Sequence, residues 1–288
     1  MEAKSIRTLI PDMYDVLSNG TEIKEDVLKE FTDNLGDLLR RRFSKDKDGK
    51  TELRMSNFGA PCQRELWYKI NKPEAAEPIP PWTLFKFLYG DILEQLVLFL
   101  AKHTGHKVEG EQDELEINGL VGHRDAVIDG VLVDAKSANS RGMVKFRDHL
   151  LDSDDPFGYL DQLSLYLTAS KDDPKVEVKG EAAFLAIDKE LGHLVLDTYK
   201  AKKVDYEKQI TRTRGMLAEP HPPARPYLPK PEGKSGNMVL DTKCSYCAFK
   251  HLCWADANGG KGLIQYNYSS GPKFFTHVAV EPRVERAQ

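Results

Sequence analysis

Apolar residues recur at helical spacing over residues 5–43, from Ile6, Leu9 and Ile10 to Phe31, Leu35 and Leu38, and predict one or two helices. The charged run at 45–50 (KDKDGK) predicts a solvated loop. Cys62 opens a short helix over QRELWYKI that stops before Asn71-Lys72-Pro73, and a proline-rich linker continues to Pro81. Residues 82–104 predict a long apolar helix with Gly105 as its C-cap. Period two then takes over. Residues 107–117 predict one strand, and 119–128 and 131–137 two more, joined by the hairpin turn Asp129-Gly130. Asp155-Pro156 predicts the start of a helix reaching about Ser170, with the aspartate as N-cap and proline at the first helical position. Residues 175–188 and 193–199 read as strands and 201–217 as an amphipathic helix. A proline-rich stretch, 219–232, leads to a cysteine cluster and a polar tail expected to be partly disordered. No internal repeat is present.

A chain of 288 residues, 40% hydrophobic and 30% charged, can bury a sizeable core, which excludes a disordered or fibrous chain. The net charge of −4 excludes a general basic coat but leaves room for a local basic groove. The opening MEAKSIRTLIPDMYD has no apolar signal region, and the apolar stretch 84–101 is interrupted by Lys86, Asp91 and Glu94. The expectation is an intracellular, cytoplasmic protein without a membrane segment. Four cysteines in such a setting are metal ligands or core residues before they are disulfides.

The hairpin turn fixes a register. With Asp129-Gly130 as the loop, Ile128 faces Val131, Asp125 stands opposite Asp134, and His123 opposite Lys136. One face then carries Ala126, Ile128, Val131, Val133 and Ala135; the other carries His123, Asp125, Val127, Leu132, Asp134 and Lys136. Directly opposed carboxylates repel, and a divalent cation between them removes the conflict. A plain solvated hairpin face is the alternative. Glu94 lies on a very apolar stripe with Phe87, Val97 and Leu98, where a carboxylate needs a partner, a metal or an edge position reaching water. Gln162 and Tyr166, four apart, share a helix face.

In order, Gly90-Asp-Ile-Leu-Glu94, Gly122-His-Arg-Asp125, Asp134-Ala-Lys136 and Gln162-Leu-Ser-Leu-Tyr166 resemble the motifs of the PD-(D/E)XK nuclease superfamily, in its RecB-like branch. The resemblance implies an α/β, restriction-endonuclease-like core, a central mixed sheet flanked by helices, at 82–200. A helical N-terminal region would occupy 1–81, and a helix, an iron–sulfur segment and a polar tail 201–288. It implies Mg²⁺ or Mn²⁺ on Glu94, Asp125, Asp134 and the Ala135 carbonyl, with Lys136 as catalytic lysine and Gln162 and Tyr166 touching DNA and supporting the site. The chain departs from the pattern at Arg124, where a proline is usual, at Asp134, where glutamate is frequent, and at Glu94, where close relatives often carry histidine.

Cys244-Ser-Tyr-Cys247 followed by Cys253, with Cys62 far upstream, supplies four thiolates. These suit a [4Fe–4S] cluster or a Cys₄ zinc site. The arrangement, one cysteine before the core and three after it, is similar to that of iron–sulfur nucleases linked to CRISPR adaptation and bacterial end processing. That resemblance implies a bacterial or phage-encoded DNA exonuclease, 5′→3′, acting on single-stranded or frayed ends in recombination, repair or end processing. A helicase, recombinase or integrase is the implied partner, since no G-x-x-x-x-G-K-[ST] loop is present. A catalytically silent iron–sulfur DNA-binding subunit and a zinc-stabilised interaction protein are the competing readings. The candidate DNA contacts are Arg64 with Trp67 and Tyr68, Arg124, and the basic stretch 141–147 including Arg141 and Lys145. Solvated charges and core aromatics are the alternatives at these positions.

Overall fold

The computed structural model describes residues 4–44 and 51–287. The loop expected at 45–50 lies outside the described residues. Along the chain come helices α1 (Leu9–Asn19), α2 (Glu25–Phe43), α3 (Met55–Phe58), α4 (Gln63–Asn71) and α5 (Pro81–His103). Strands β1 (Val108–Glu109), β2 (Glu114–Ile117), β3 (Leu120–His123), β4 (Ala126–Ile128) and β5 (Val131–Ala138) follow. Next are α6 (Ser140–Arg147), α7 (Tyr159–Ala169), β6 (Glu181–Asp188), β7 (Leu194–Lys200) and α8 (Tyr206–Ala218). The C-terminal part holds β8 (Lys230–Pro231), β9 (Met238–Val239), the helical turns α9 (Thr242–Ser245), α10 (Lys250–Cys253) and α11 (Ala257–Gly260), then β10 (Ile264–Tyr268) and β11 (Gly271–His277). Two compact units result: residues 1–61 with 81–213, and residues 62–80 with 214–288.

The first unit is built on a five-stranded mixed sheet, order β1-β4-β5-β6-β7. Only β5 and β6 run parallel. The hairpin register is the expected one: Ala126, Val127 and Ile128 face Val133, Leu132 and Val131. Asp129 (φ 48°) and Gly130 (φ 77°) form the turn, both in the left-handed region that a two-residue hairpin requires. Ala126, Ile128, Val131 and Val133 are buried with Val97, Leu98 and Ala101 of α5 and with Leu9 and Met13 of α1. Val127 and Leu132, on the opposite face, are buried with Leu163 and Leu167 of α7 and Phe146 of α6. Helices thus cover both faces of the sheet, as a parallel central pair demands.

Several elements differ from the sequence pattern. The strand expected over 107–117 is broken between β1 and β2, where Gly110 (φ 61°) and Gln112 (φ 54°) turn the chain. The strand expected over 119–128 is broken too: β3 leaves the main sheet to pair with β2. His123 therefore stands opposite Glu114, not Lys136. Residues 175–180 are not strand, because the amides of Glu177 and Val178 both donate to the Gly130 carbonyl in the hairpin turn. Helix α7 begins at Tyr159 rather than Pro156. Asp155 still caps it from upstream, accepting from the Tyr159 and Leu160 amides at 2.9 Å.

In the second unit, β8–β11 form a four-stranded sheet, order β10-β11-β9-β8. The tail expected to be partly disordered is folded, with Tyr266 and Phe275 buried at 1% and 0% exposure. Trp67 and Tyr68 of α4 are buried in the core, which decides between their two readings. Among the described residues, no helix is long and apolar enough to cross a membrane.

Candidate active site

Strand β5 points Leu132, Asp134 and Lys136 toward α7 and Val133 and Ala135 toward α5, by simple alternation. Lying between β4 and β6, it buries Asp134 almost completely. The ladder between β4 and β5 stops at Ala126, so Asp125 does not pair across the hairpin. Its carboxylate instead accepts the Ala135 amide at 2.7 Å. Arg124 causes the break. Its side chain is buried and paired with Asp113 and Asp173, each at 2.6 Å, and it donates to the Gly110 carbonyl. That inward turn ends β3 and delivers Asp125 to the edge of β5.

Glu94 arrives from α5. Burial, together with the Asp134 and Asp91 charges, pushes its carboxyl up to about 7; Lys136 and a hydrogen bond from Gln112 at 3.0 Å oppose this. Burial first, then Asp134 and Glu94, raises Asp125 well above the ordinary carboxylate range. The Lys136 ammonium rests against Asp134 and lies 5.2 Å from the Tyr159 ring centre. Burial works against its charge, but Asp134 and Asp125 outweigh that and raise its pKa.

Glu94 and Asp125 thus share a low-dielectric pocket with Asp134, and burial and the neighbouring negative charges disfavour the ionised form of Glu94 and Asp125. Asp134 Oδ2 is fully buried, with the Lys136 ammonium as its partner. Hard oxygen donors in mutual repulsion are the chemistry that suits Mg²⁺ or Mn²⁺. Among the described residues, no three His, Cys, Asp or Glu side chains converge into a finished ligand set. Each acid instead leans on a protein donor: Asp134 on Lys136, Asp125 on the Ala135 amide and Glu94 on Gln112. Outside Glu94 opens a cleft of about 500 Å³, lined by Leu38, Arg41, Arg42, Asp91, Gln95 and Gln112. Arg42 is paired with Asp91 there.

A sequence profile of the PD-(D/E)XK nuclease superfamily matches residues 27–254. The chain belongs to this superfamily. Two crystal structures are similar to it. SSO0001 is 16% identical, with 78% of this chain and 96% of that chain covered and a TM-score of 0.43. LHK-Exo in complex with dAMP is 13% identical, with 58% and 88% covered and a TM-score of 0.33. At those scores neither likeness adds to the argument. Among curated proteins nothing matches the chain.

A PD-(D/E)XK chain has phosphodiester hydrolysis as its family chemistry, and the remaining expected residues can be placed against the acids. Gln162 donates to the Tyr166 hydroxyl at 3.0 Å. Tyr166 is buried, which holds its pKa up at about 12, with Asp134 and Asp125 close enough to contribute. It supports the site from beneath and does not present a surface to DNA. A Cβ on Gly122 would lie 2.6 Å from Met55 and 2.8 Å from the Tyr166 ring, so this motif glycine permits the close approach.

The expected DNA contacts fare differently. Arg124 is not one: it is wholly buried in its own ion pairs. Arg64 is also committed, donating to Cys253 Sγ at 3.2 Å, the Pro223 carbonyl at 2.6 Å and the Tyr68 hydroxyl at 3.1 Å. Arg141 is exposed on α6, and Lys145 is paired with Asp154.

The four cysteines are free thiols within the second unit. Burial raises the pKa of Cys62, and brings Cys244 to about 11 and Cys247 to about 12, with neighbouring thiols adding to each. They do not form a tight ligand group, so no iron–sulfur site is evident among the described residues.

Four residues of the site were not singled out from sequence. Gln112 lies in a loop where the pattern predicts strand, and Tyr159 opens a helix that the pattern starts at Pro156. Arg41 and Arg42 read only as the basic end of α2, and no local pattern shows that α2 reaches the cleft.

Proposed function

We propose that the protein is a metal-dependent DNA exonuclease acting on single-stranded or frayed ends, 5′→3′ by family analogy. The supporting observation is the joint placement of Glu94, Asp125, Asp134 and Lys136 around the central strand β5, with burial and the neighbouring carboxylates raising the pKa of Glu94 and Asp125. Glu94, Asp125, Asp134 and the Ala135 carbonyl would hold Mg²⁺ or Mn²⁺. A divalent ion bound there supplies an activated water and offsets charge on the scissile phosphate. Lys136, kept charged by Asp134 and Asp125, stands ready for the negative charge that grows on the phosphate. Tyr159 and Tyr166 shield this lysine–carboxylate group from water on the α7 side.

We further infer that Cys62, Cys244, Cys247 and Cys253 hold a [4Fe–4S] cluster as a structural clamp. In support, all four are free, lie in one compact unit, and bear on each other electrostatically. The soft donor set fits iron and sulfide. Visible absorbance with stoichiometric iron and sulfide in anaerobically purified protein is the expected result; bound zinc alone would overturn it.

The nuclease reading is tested by cleavage of end-labelled single- and double-stranded DNA with Mn²⁺ or Mg²⁺, comparing wild type with Asp134→Ala. Metal-dependent cleavage lost in the variant supports it. Two folded proteins that bind DNA and cut nothing would leave a catalytically silent binding subunit in its place.

A further inference from the structure

We propose that the N-terminal half of α5 is a stacking face for an unpaired DNA strand, centred on Phe87, with Arg41 taking a phosphate where that strand reaches the cleft. The proposal rests on the nuclease reading and adds where its substrate lies.

Leu84, Phe87, Asp91 and Glu94 follow one another three or four residues apart on one side of α5, with Gln95 four after Asp91. The last three line the cleft beside the carboxylates. The first two continue the same side outward, where Phe87 is 45% exposed and Leu84 43%. Trp82 and Phe85, on the far side of the helix from Phe87, are 67% and 70% exposed. Apolar residues on every side of an exposed helix need something to cover them.

The chemistry of the cover is set by what adjoins it. The same side of α5 leads past Asp91, which is paired with Arg42, to the carboxylate pocket, and exposed Arg41 lines the cleft with Arg42. An aromatic ring leading to an exposed guanidinium matches a polyanion with flat bases. The cleft sets Arg41 and Arg42 against Asp91 and Glu94, and since Arg42 is paired with Asp91 the phosphate contact falls to Arg41. The spacing agrees. Phe87 and Glu94 are seven residues apart, about 10 Å along a helix axis. That equals roughly three steps of a stacked strand. A base on Phe87 thus puts the phosphate about three nucleotides on beside Glu94. A duplex keeps its base faces covered and gains nothing from Phe87.

The test measures binding of fluorescent oligothymidylate and of a blunt duplex to Asp134→Ala protein, which spares the probe from cleavage. Adding Phe87→Ala should weaken single-strand binding about tenfold and leave duplex binding unchanged. Phe87→Trp should restore it. Arg41→Ala should lower the slope of log affinity against log salt by about one. Unchanged single-strand affinity in Phe87→Ala, or an equal loss for duplex, overturns the proposal. So does a concentration-dependent dimer in wild type that Phe87→Ala dissolves, because a second copy then covers the face. Metal-dependent cleavage is assayed in parallel on the otherwise wild-type background. If it persists while Phe87→Ala binds normally, the stacking face fails and the nuclease stands; if wild type itself never cuts, the nuclease reading fails first.

Discussion

The Asp125 carboxylate accepts the Ala135 amide at 2.7 Å, the hydrogen bond that a longer β4 would have supplied from its backbone. Strand termination and active-site assembly are thereby one event. Because the ladder ends at Ala126, a carboxylate replaces a carbonyl beside β5, where the charges of Asp134 and Glu94 act on it. The position of the acid depends on Arg124 being drawn inward just before it.

Glu94→Gln should make the metal-free protein more stable at alkaline pH while removing activity. The Glu94 carboxyl is raised to about 7, chiefly by burial and then by Asp134. A raised carboxyl contributes stability that is complete below its unfolded pKa and is lost as pH climbs through the folded one. In chelator, wild type should therefore lose stability between about pH 5 and pH 8, and the glutamine variant should lose less. A difference of about 1–2 kcal/mol near pH 8, vanishing near pH 5, is expected in urea melts. Metal-dependent cleavage should fall at least a hundredfold. Equal melts at both pH values would show that Glu94 is not strained in the pocket.

Arg124→Met should be among the most damaging substitutions in the first unit. The guanidinium is fully buried between Asp113 and Asp173, and its removal leaves those carboxylates without their buried partner. A loss of about 3 kcal/mol is expected. Lys175 and Arg124 hold Asp113 below the ordinary carboxylate range; backbone and Arg124 hydrogen bonds do the same for Asp173 against the opposing effect of burial. Depressed carboxyls contribute stability above their unfolded pKa and lose it as pH falls. The acid limb of the wild-type stability curve, below about pH 4, should flatten in the variant. Salt-dependent DNA affinity of whatever variant remains folded should match wild type, since this arginine faces no solvent.

The hairpin was legible because its register follows from two residues: Asp129-Gly130 admits one common turn, and everything from Ile128/Val131 to Ala126/Val133 then follows by alternation. Asp125, Asp134 and Lys136 stand at fixed steps from that turn, but the facings expected from it, Asp125 to Asp134 and His123 to Lys136, are lost where the ladder ends at Ala126 and β3 pairs with β2. The partners of the site residues were not legible. Arg124 reads as a surface charge until Asp113 and Asp173, eleven residues before it and forty-nine after, are brought to it. Phe87 shares its stripe with buried Val97 and Leu98, and periodicity alone does not show that it is exposed. The C-terminal tail reads as polar because Tyr266, Phe274 and Phe275 are spread among charges; they bury themselves only by pairing β10 with β11.

If the four cysteines hold the proposed cluster, Cys62→Ala should lower the melting temperature of anaerobically purified protein. Cys62 caps α4, accepting the Glu65 amide at 3.4 Å, and is remote in sequence from Cys244, Cys247 and Cys253. A metal group joining them would close a loop of well over a hundred residues, whose entropy is lost to the unfolded chain. Loss of visible absorbance together with a fall of several degrees in Tm is expected. A variant that loses iron without changing its Tm would show that the cysteines do not clamp the fold.

Gly122→Ala tests how tightly the motif before Asp125 is packed. An added methyl would stand 2.6 Å from Met55 and 2.8 Å from the Tyr166 ring, closer than carbon atoms approach. Met55 can shift, but Tyr166 is buried and tied through its hydroxyl to Gln162. Overpacking of this kind costs about 1–3 kcal/mol. Displacement of Tyr166 would also loosen Gln162 and the α7 wall that Tyr159 and Lys136 lean on. Activity should therefore fall further than stability: cleavage reduced about tenfold or more at a temperature where circular dichroism shows the variant folded. The double variant Gly122→Ala with Tyr166→Leu, which trades the ring for a smaller side chain, should recover part of the lost stability without recovering cleavage. Recovery of both would mean that Tyr166 only fills space, and no recovery of either would place the clash on Met55 instead.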